Sequence, residues 1–302
     1  MAVERVETLI IGAGQSGLVM SHMLSKRGRP HLLVERHSIA ERWRSERWKG
    51  LRFQFPNWSV RLPDFPFQYE EADGFATNAE ILEFIIAYSN FVSAPVRTGI
   101  EVRGLHRGNG SSGFVAETSC GEIEATNVVV ATGPYQTQRI PFSIPEEFGV
   151  CQIHASKYKE PDQLPPGAVL VVGAGASGAQ IAEELAHAGR QVYLSVGRHR
   201  RWPRRYRGRD LIRWLVDSGL DQTPIEQRGP EQALPVITGA YGGHTIDFRR
   251  FAEQGVILLG RATGIQDGAI TIASDLPENI EAGDTAYRSF LELIDREIER
   301  LN

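Results

Sequence analysis

One pattern of apolar and polar positions occurs twice in this chain. Val6–Ile11 is a short, β-rich apolar run, as expected of a strand buried on both faces. It runs into Gly12-Ala13-Gly14-Gln15-Ser16-Gly17. A helical stretch follows from Leu18 to Lys26 and stops at Gly28. Leu32, Leu33 and Val34 then predict a second strand ending at Glu35. The same succession returns at Val169–Val172, Gly173-Ala174-Gly175-Ala176-Ser177-Gly178 and Val192–Val196. Laid on each other without a gap, Gly12, Gly14 and Gly17 fall on Gly173, Gly175 and Gly178, and Gly28-Arg29 falls on Gly189-Arg190.

Between and beyond the two copies the patterning is more varied. Residues 37–78 show no clear period and are rich in Trp, Phe, Pro and Arg, and long loops of that kind are often functional. Asn78 is expected to cap a helix over Ala79–Phe91, with Ile81, Leu82, Ile85, Ile86 and Tyr88 on one face. Gly99–Ala125 reads as a small antiparallel meander broken at "RGNGSSG" and "SCGE". Asn127–Ala131 is another buried strand, and the Pro-rich stretch from Pro134 to Pro145 marks a domain edge. Further strands are expected at Val256–Leu259 and Ala269–Ala273. Asp284 is expected to cap a last helix carrying Tyr287, Phe290, Leu291, Ile294, Ile298 and Leu301.

The duplicated turn carries specific chemistry. The first glycine makes the tight turn, the second lets a pyrophosphate approach the backbone, and the third lets helix and strand pack closely. The pyrophosphate then lies at a helix N-terminus, where unpaired N–H groups and the helix dipole favour an anion. In each copy the motif follows a strand and opens a helix, which is the context that gives it meaning. The copies differ at the end of their second strand. Glu35 can accept hydrogen bonds from ribose hydroxyls, which suits FAD or NAD. The corresponding residue of the second copy is Val196, followed by Gly197, Arg198, His199, Arg200 and Arg201. With no acid there and arginine behind it, that site is expected to prefer NADP, with Arg198 on the 2′-phosphate. Two different dinucleotides in one chain imply hydride transfer between them: FAD in the first copy, NADPH in the second. Ala131-Thr132-Gly133 ends a strand in small residues, which lets backbone pass close to a flavin, although taken alone it reads as a strand-end turn.

Composition narrows the classes. The chain has 302 residues, 41% hydrophobic and 23% charged, enough apolar material for more than one core. A net charge of −4 gives no general attraction to nucleic acid or anionic membranes. The eight arginines of residues 198–213 match no nucleic-acid-binding motif. No apolar run is long enough to span a membrane and no signal peptide opens the chain, so a soluble, cytoplasmic protein is expected. Cys120 and Cys151 form no C-x-x-C and no zinc framework, and burial is their expected fate. A disulfide reductase would need a dithiol beside the flavin, and the sequence offers none.

The stretches "GAGQSG", "ERWRSERWKGLRFQFPNW", "LPDFPF", "VVVATGPY", "HASKYKEP" and "VVGAGASG" follow one another over residues 5–260. In this the chain resembles the flavin-containing monooxygenases, nearest to their bacterial and YUCCA-like branch. The family's F-x-G-x-x-x-H-x-x-x-Y signature is matched by Phe148, His154 and Tyr158, with Val150 in the glycine slot and Gly149 beside it. The resemblance implies an α/β fold of two dinucleotide-binding Rossmann-like domains (three-layer ββα), the NADP domain inserted in the FAD domain. The FAD domain is expected over 1–160, the NADP domain over 161–283, and a helix returning towards the FAD domain over 284–302. It also implies C4a-hydroperoxyflavin oxygenation, by O₂ and NADPH, of a small nucleophilic (N, S) or activated-carbonyl substrate, and a possible homodimer.

Asn57 matches the position of a catalytic asparagine, although a turn asparagine after Pro56 reads almost as well. Gly12, Gly14, Gln15, Ser16, Gly17, Glu35, Arg36, Trp43, Arg44, Trp48, Ala131, Thr132 and Gly133 make up the expected flavin site. Gly173, Gly175, Ala176, Ser177, Gly178, Arg198 and His199 make up the NADPH site, and His154 is either cofactor-facing or a capping histidine. The family next supplies a second "ATG" strand and a segment that caps the flavin. Neither is in this sequence, so the flavin half is expected to be incomplete. A non-oxygenating FAD/NADPH oxidoreductase and a truncated dinucleotide-binding protein without monooxygenase activity are the alternatives.

Overall fold

A computed structural model describes residues 4–108, 113–134, 136–224 and 234–301, leaving the tip of the "RGNGSSG" loop and part of the 219–243 stretch outside the described residues. Contacts divide the chain into two units. The first comprises Met1–Arg47, Val60–Gln68 and Asn78–Gln138; the second comprises Trp48–Ser59, Tyr69–Thr77 and Arg139–Asn302.

The first unit contains β1 (Glu4–Ile11), α1 (Gln15–Ser25), β2 (His31–Glu35), α2 (Glu41–Ser45), β3 (Arg61–Leu62), β4 (Phe65–Pro66), α3 (Asn78–Phe91), β5 (Val96–Thr98), β6 (Val102–Arg107), β7 (Phe114–Thr118) and β8 (Gly121–Val130). Its six-stranded sheet runs β5-β2-β1-β8-β7-β6. β5, β2, β1 and β8 are parallel, and β7 and β6 continue antiparallel as the meander. β1 is central, with Ile10 opposite Leu33 on one side and Val129 on the other. Its apolar end, Leu9-Ile10-Ile11, fits that place: Leu9 and Ile10 point to opposite sides of the sheet and both are fully buried, as in a parallel sheet covered on both faces. Leu9, Leu32, Val34, Ala116, Ile123 and Ala125 form a core on one face. α3 buries Ile81, Phe84, Ile85 and Tyr88, one helical stripe, and Phe84 stacks on Phe65 of β4. Asn78 does not cap this helix. It is the first helical residue, and its Oδ1 is buried with no partner among the described residues.

The second unit contains β9 (Val169–Val172), α4 (Ala176–His187), β10 (Val192–Ser195), β11 (Arg200–Arg201), β12 (Arg205–Tyr206), β13 (Arg209–Asp210), α5 (Leu211–Asp217), β14 (Pro235–Val236), α6 (Phe248–Glu253), β15 (Ile257–Leu259), β16 (Ala262–Gln266), β17 (Ala269–Ile272) and α7 (Leu276–Leu301). β15-β10-β9 form a parallel sheet with β9 at its edge, and β16 and β17 pair as a separate hairpin.

The last helix begins eight residues before the expected start. Asp275, not Asp284, stands at its opening, where its carboxylate accepts the Arg261 N–H and its carbonyl accepts the Asn279 N–H. Gly283 lies within the helix because there is no room for more: a Cβ there would come within 2.4 Å of His199 Nε2. Asp284, in mid-helix, instead pairs with Arg201 and Arg249. α7 packs within the second unit, where Phe290 and Ile294 join Leu211, Ile212, Trp214 and Ile237.

The region read as one irregular loop is shared between the units. Segments 48–59 and 69–77 pair with each other: the Phe53 N–H donates to Ala76 O, Asn57 N–H to Gly74 O and Trp58 N–H to Ala72 O. Arg204 holds them to the second unit. It is 2% exposed, forks onto Asp210 through Nε and an Nη at 2.8 Å each, and donates to Gln54 O at 2.7 Å while lying over the Phe75 ring. Burying a guanidinium is tolerable only when it is paired and hydrogen-bonded in this way.

Burial of the cysteines is corrected: Cys120 and Cys151 are both exposed free thiols. Cys120 lies in the turn between β7 and β8, and Cys151 lies in the irregular stretch after the 3-10 turn Glu146–Phe148, so neither occupies an apolar strand position. Among the described residues no helix is long and apolar enough to cross a membrane.

Candidate functional site

The two glycine turns superpose in detail. Gly12 and Gly173 have φ of +107° and +100°, a region open to glycine. The Gly12 N–H donates to Val34 O and the Gly173 N–H to Ser195 O, so each turn is tied to the end of its neighbouring strand. A Cβ on Gly17 would lie 1.9 Å from Gly12 O, and one on Gly178 would lie 1.9 Å from Gly173 O. That leaves glycine as the only residue that fits. By contrast, a Cβ on Gly14 or Gly175 would meet nothing within 4 Å. Each of these stands at the N-cap of its helix with no side chain closing the first turn. The free first-turn N–H groups therefore face open space, the arrangement that takes an anion. Gln15, Ser16 and Ser177 are exposed at these helix starts, and Ala176 is half-buried.

Beyond the turns the copies part. Glu35 Oε2 accepts the Ala13 N–H at 2.9 Å and Oε1 accepts the His37 N–H at 3.0 Å, which fixes the carboxylate at the strand end beside the turn. Each oxygen keeps a further acceptor position. Arg36 beside it is exposed. Ala131 O stands behind Gly12: a Cβ on that glycine would be 2.6 Å away. Gly133, at φ +76°, ends this approach. Arg42 of α2 donates to Pro134 O, and Arg47 lies over the Trp43 ring. Arg44 is exposed beside Glu41.

In the second unit Val196 is fully buried in the slot that Glu35 fills in the first. Arg198 is exposed, has no ion pair among the described residues, and opens onto a groove of about 820 Å³ shared with Arg200, Trp202, Glu278 and Thr285. His199 is turned inward. It is 8% exposed, its Nδ1 faces Gly197 O, its ring packs on Phe248, and burial pulls its pKa below the usual range. Most other arginines of the run are held within the unit: Arg201 by Asp247 and Asp284, Arg204 by Asp210, Arg207 by Asp295 and Arg209 by Asp217.

Asn57 and Trp48 lie in the second unit. Asn57 Nδ2 donates to Glu71 O at 3.0 Å, while its Oδ1 is buried with no partner among the described residues. Trp48 is buried. His154 caps a short 3-10 turn: its Nδ1 accepts the Ser156 N–H at 3.2 Å. Gly149, one place before the family's glycine slot, has φ +60°. Tyr158 is buried and donates to Glu184 Oε2 at 2.8 Å. Burial, then that bond, pushes the phenol well above its ordinary pKa, and burial raises Glu184 as well.

Three residues of α4, Gln180, Glu183 and Glu184, carry chemistry that the sequence reading did not single out. Glu183 is buried and pairs with His244 Nε2 at 2.8 Å, which raises the His244 pKa. Gln180 and Glu184 line a cavity of about 500 Å³. The signal was present as polar residues four apart in "AQIAEELA", a spacing that puts both on one helix face.

Comparison with known proteins bears on these features. The family model of pyridine nucleotide-disulphide oxidoreductases matches residues 9–218. A Geobacillus kaustophilus protein described as an uncharacterized CzcO-like oxidoreductase is 37% identical over 218 residues, covering 71% of this chain and 61% of that protein. The indole-3-pyruvate monooxygenase YUCCA1 of Oryza sativa subsp. japonica is 32% identical over 203 residues, 65% of this chain and 50% of its own length. The chain thus spans between half and two thirds of these relatives. Among solved structures, a flavin monooxygenase from Stenotrophomonas maltophilia aligns with a TM-score of 0.61 at 18% identity, over 97% of this chain and 99% of that one. The bacillithiol disulfide reductase Bdr of Staphylococcus aureus aligns at 0.61 and 16% identity, over 90% of this chain and 72% of that one. At such identities the likeness is one of fold.

Proposed function

Because the chain belongs to the pyridine nucleotide-disulphide oxidoreductase family, among its flavin-monooxygenase-like members, we propose that it is an NADPH- and FAD-dependent monooxygenase. Its substrate would be a small molecule with a nucleophilic nitrogen or sulfur, or an activated carbonyl. The observation that carries this reading is the pair of matched turns with opposite strand-end residues, Glu35 in one and Val196 in the other.

The residues present fit the two groups. At the first turn the open N-cap at Gly14 takes a pyrophosphate, Glu35 keeps acceptor positions for ribose hydroxyls, and the Ala131–Gly133 backbone carries no bulk towards a ring. At the second turn Gly175 does the same for the other pyrophosphate, and Arg198, which has no ion pair among the described residues, would neutralise a 2′-phosphate. The first unit is thus the flavin half and the second the NADPH half. Bound there, FAD reduced by NADPH would supply the activation of O₂. The chain's own task is placement and exclusion of water. Asn57 is suited to hydrogen-bonding with a bound group, since its Oδ1 is buried and has no partner among the described residues. A dithiol mechanism has no support in the sequence, where Cys120 and Cys151 form no C-x-x-C.

The test is cofactor-dependent turnover. The purified chain supplied with FAD should show a bound-flavin spectrum, oxidise NADPH in preference to NADH, and consume O₂ with formation of an oxygenated sulfide or amine. A chain that retains no added FAD, or that oxidises NADPH at a rate independent of O₂ with no oxygenated product, overturns the reading.

A further inference from the structure

Arg198 stands on a stretch of backbone that its surroundings fix on both sides. Before it, Ser195 Oγ donates to Gly260 O at 3.0 Å and accepts the Ala262 N–H at 2.9 Å, and the Val196 N–H donates to Leu259 O at 2.9 Å. After it, Arg201 is paired with Asp247 and Asp284. None of these contacts engages the Val196 carbonyl, which begins the peptide leading to Gly197 and Arg198. That carbonyl is held from α7: Asn279 Nδ2 donates to Val196 O at 3.0 Å in a buried bond.

Asn279 is 8% exposed. Asparagine is a poor helix former and is mostly found at surfaces, so one buried inside a helix has a task other than building it. One turn further on, Gly283 leaves the space that the His199 ring occupies. Residues four apart share a helix face, so α7 meets the stretch after β10 at two points: Val196 through a hydrogen bond and His199 through shape. Gly197 and Arg198 lie between those points.

The groove gives that grip a consequence. Arg198 and Trp202 stand on one side of it, and Glu278, Glu281 and Thr285 of α7 stand on the other. Glu281 Oε1 accepts from an Nη of Arg288 at 2.6 Å, while Glu278 is exposed in the first turn of the helix. An Arg198 side chain that drifts across the groove meets the Glu278 carboxylate, which competes with a phosphate for the same guanidinium. One kept on its own side stays open to the phosphate.

We propose that Asn279 is a positioning residue for coenzyme selectivity: by fixing the Val196 carbonyl it aims Arg198 at the 2′-phosphate of NADPH and away from Glu278. Its effect is exerted through Arg198. The inference rests on the NADPH assignment of the second turn made above, and it adds a determinant that lies 81 positions from the arginine it serves, on a different element.

Isothermal calorimetry of NADP⁺ and NAD⁺ on the full chain tests it. Wild type is expected to bind NADP⁺ about tenfold more tightly than NAD⁺. Asn279→Leu removes the donor, nearly keeps the side-chain length and is a better helix former, so α7 itself is not weakened. It should bind NADP⁺ about fivefold more weakly than wild type and NAD⁺ within about twofold of it. Asn279→Ala takes its place if the leucine variant loses its folded circular-dichroism spectrum. Added to Arg198→Ala, the same substitution should change NADP⁺ affinity by less than about twofold, because the side chain it acts through is gone. A selective wild type whose Asn279 variant is equally selective overturns this inference alone. So does equal weakening of both coenzymes, or a full additional loss in the Arg198→Ala background, since each marks a purely structural role. A wild type with no preference between NADP⁺ and NAD⁺ overturns the NADPH assignment itself, and this inference with it.

Discussion

The turn at Gly12–Gly17 and the turn at Gly173–Gly178 share a backbone and differ in what stands around it. Their glycine dihedrals, strand-end hydrogen bonds and forbidden Cβ positions agree closely. Even the stops agree: Gly28 and Gly189 close their helices with N–H bonds to Ser25 O and Ala186 O, and the next residues donate to Leu24 O and Leu185 O. The difference lies behind the turn. β1 is central, so the end of β8 brings Ala131 O against Gly12. β9 is an edge strand, and nothing comes within 4 Å of a Cβ on Gly173. Local sequence sets the shape of the loop, and sheet position sets how firmly it is backed. The helices show the same division. At matching positions α1 has His22 paired to Asp64 and α4 has Glu183 paired to His244, the same kind of contact with histidine and carboxylate exchanged.

Several substitutions would break or sharpen this comparison. Gly17→Ala and Gly178→Ala should be the most damaging, each losing about 3 kcal/mol or more by denaturant unfolding, because backbone must move to admit the methyl. Similar losses are expected at the two sites, and a clear difference would break the equivalence. Gly12→Ala should cost about 1–2 kcal/mol more than Gly173→Ala, since both strain the backbone but only the first meets Ala131 O. Equal costs would show that the backing strand yields freely. Arg198→Ala should raise the NADPH KM about tenfold, near 1.4 kcal/mol, and leave that for NADH almost unchanged. Equal change for both coenzymes would remove the phosphate contact. The smallest effect concerns His244. Its folded-state pKa is raised by Glu183, so its contribution is fully present below about pH 6.5 and is lost as pH rises through the raised value. Wild type should exceed His244→Gln by no more than about 1 kcal/mol in urea at low pH, with the gap closing at alkaline pH. A gap that widens with pH would reverse the sign.

Both βαβ openings, the meander and the core stripe of α3 were legible because each rests on local periodicity or on glycine stereochemistry. The start of α7 was misread although Asp275-Leu276-Pro277-Glu278 holds ordinary start signals. Gly283 is a poor helix former in the middle of this stretch, and only the approach of His199 explains a glycine there. The arginine run was visible as charge. That Arg201 and Arg207 are paired, while Arg198 has no ion pair among the described residues, depends on partners such as Asp247, Asp284 and Asp295, far away in sequence. For the same reason the split of residues 48–77 between units could not be read: it depends on Arg204 reaching Gln54 across 150 positions. Gln180 escaped notice because a glutamine inside a helix declares nothing until its partners are counted.

The buried Arg204 fork also bears on engineering. Segment 48–59 carries Trp48 and Asn57, and it is an obvious piece to exchange between relatives when altering selectivity. Its Gln54 carbonyl is anchored to a guanidinium that is itself fixed by Asp210, while Phe75 of the paired segment forms the stacking surface. The transferable module is therefore discontinuous. A graft of the loop alone would strand a buried cation, whereas one that carries residues 69–77 and 204–210 with it moves a self-consistent part.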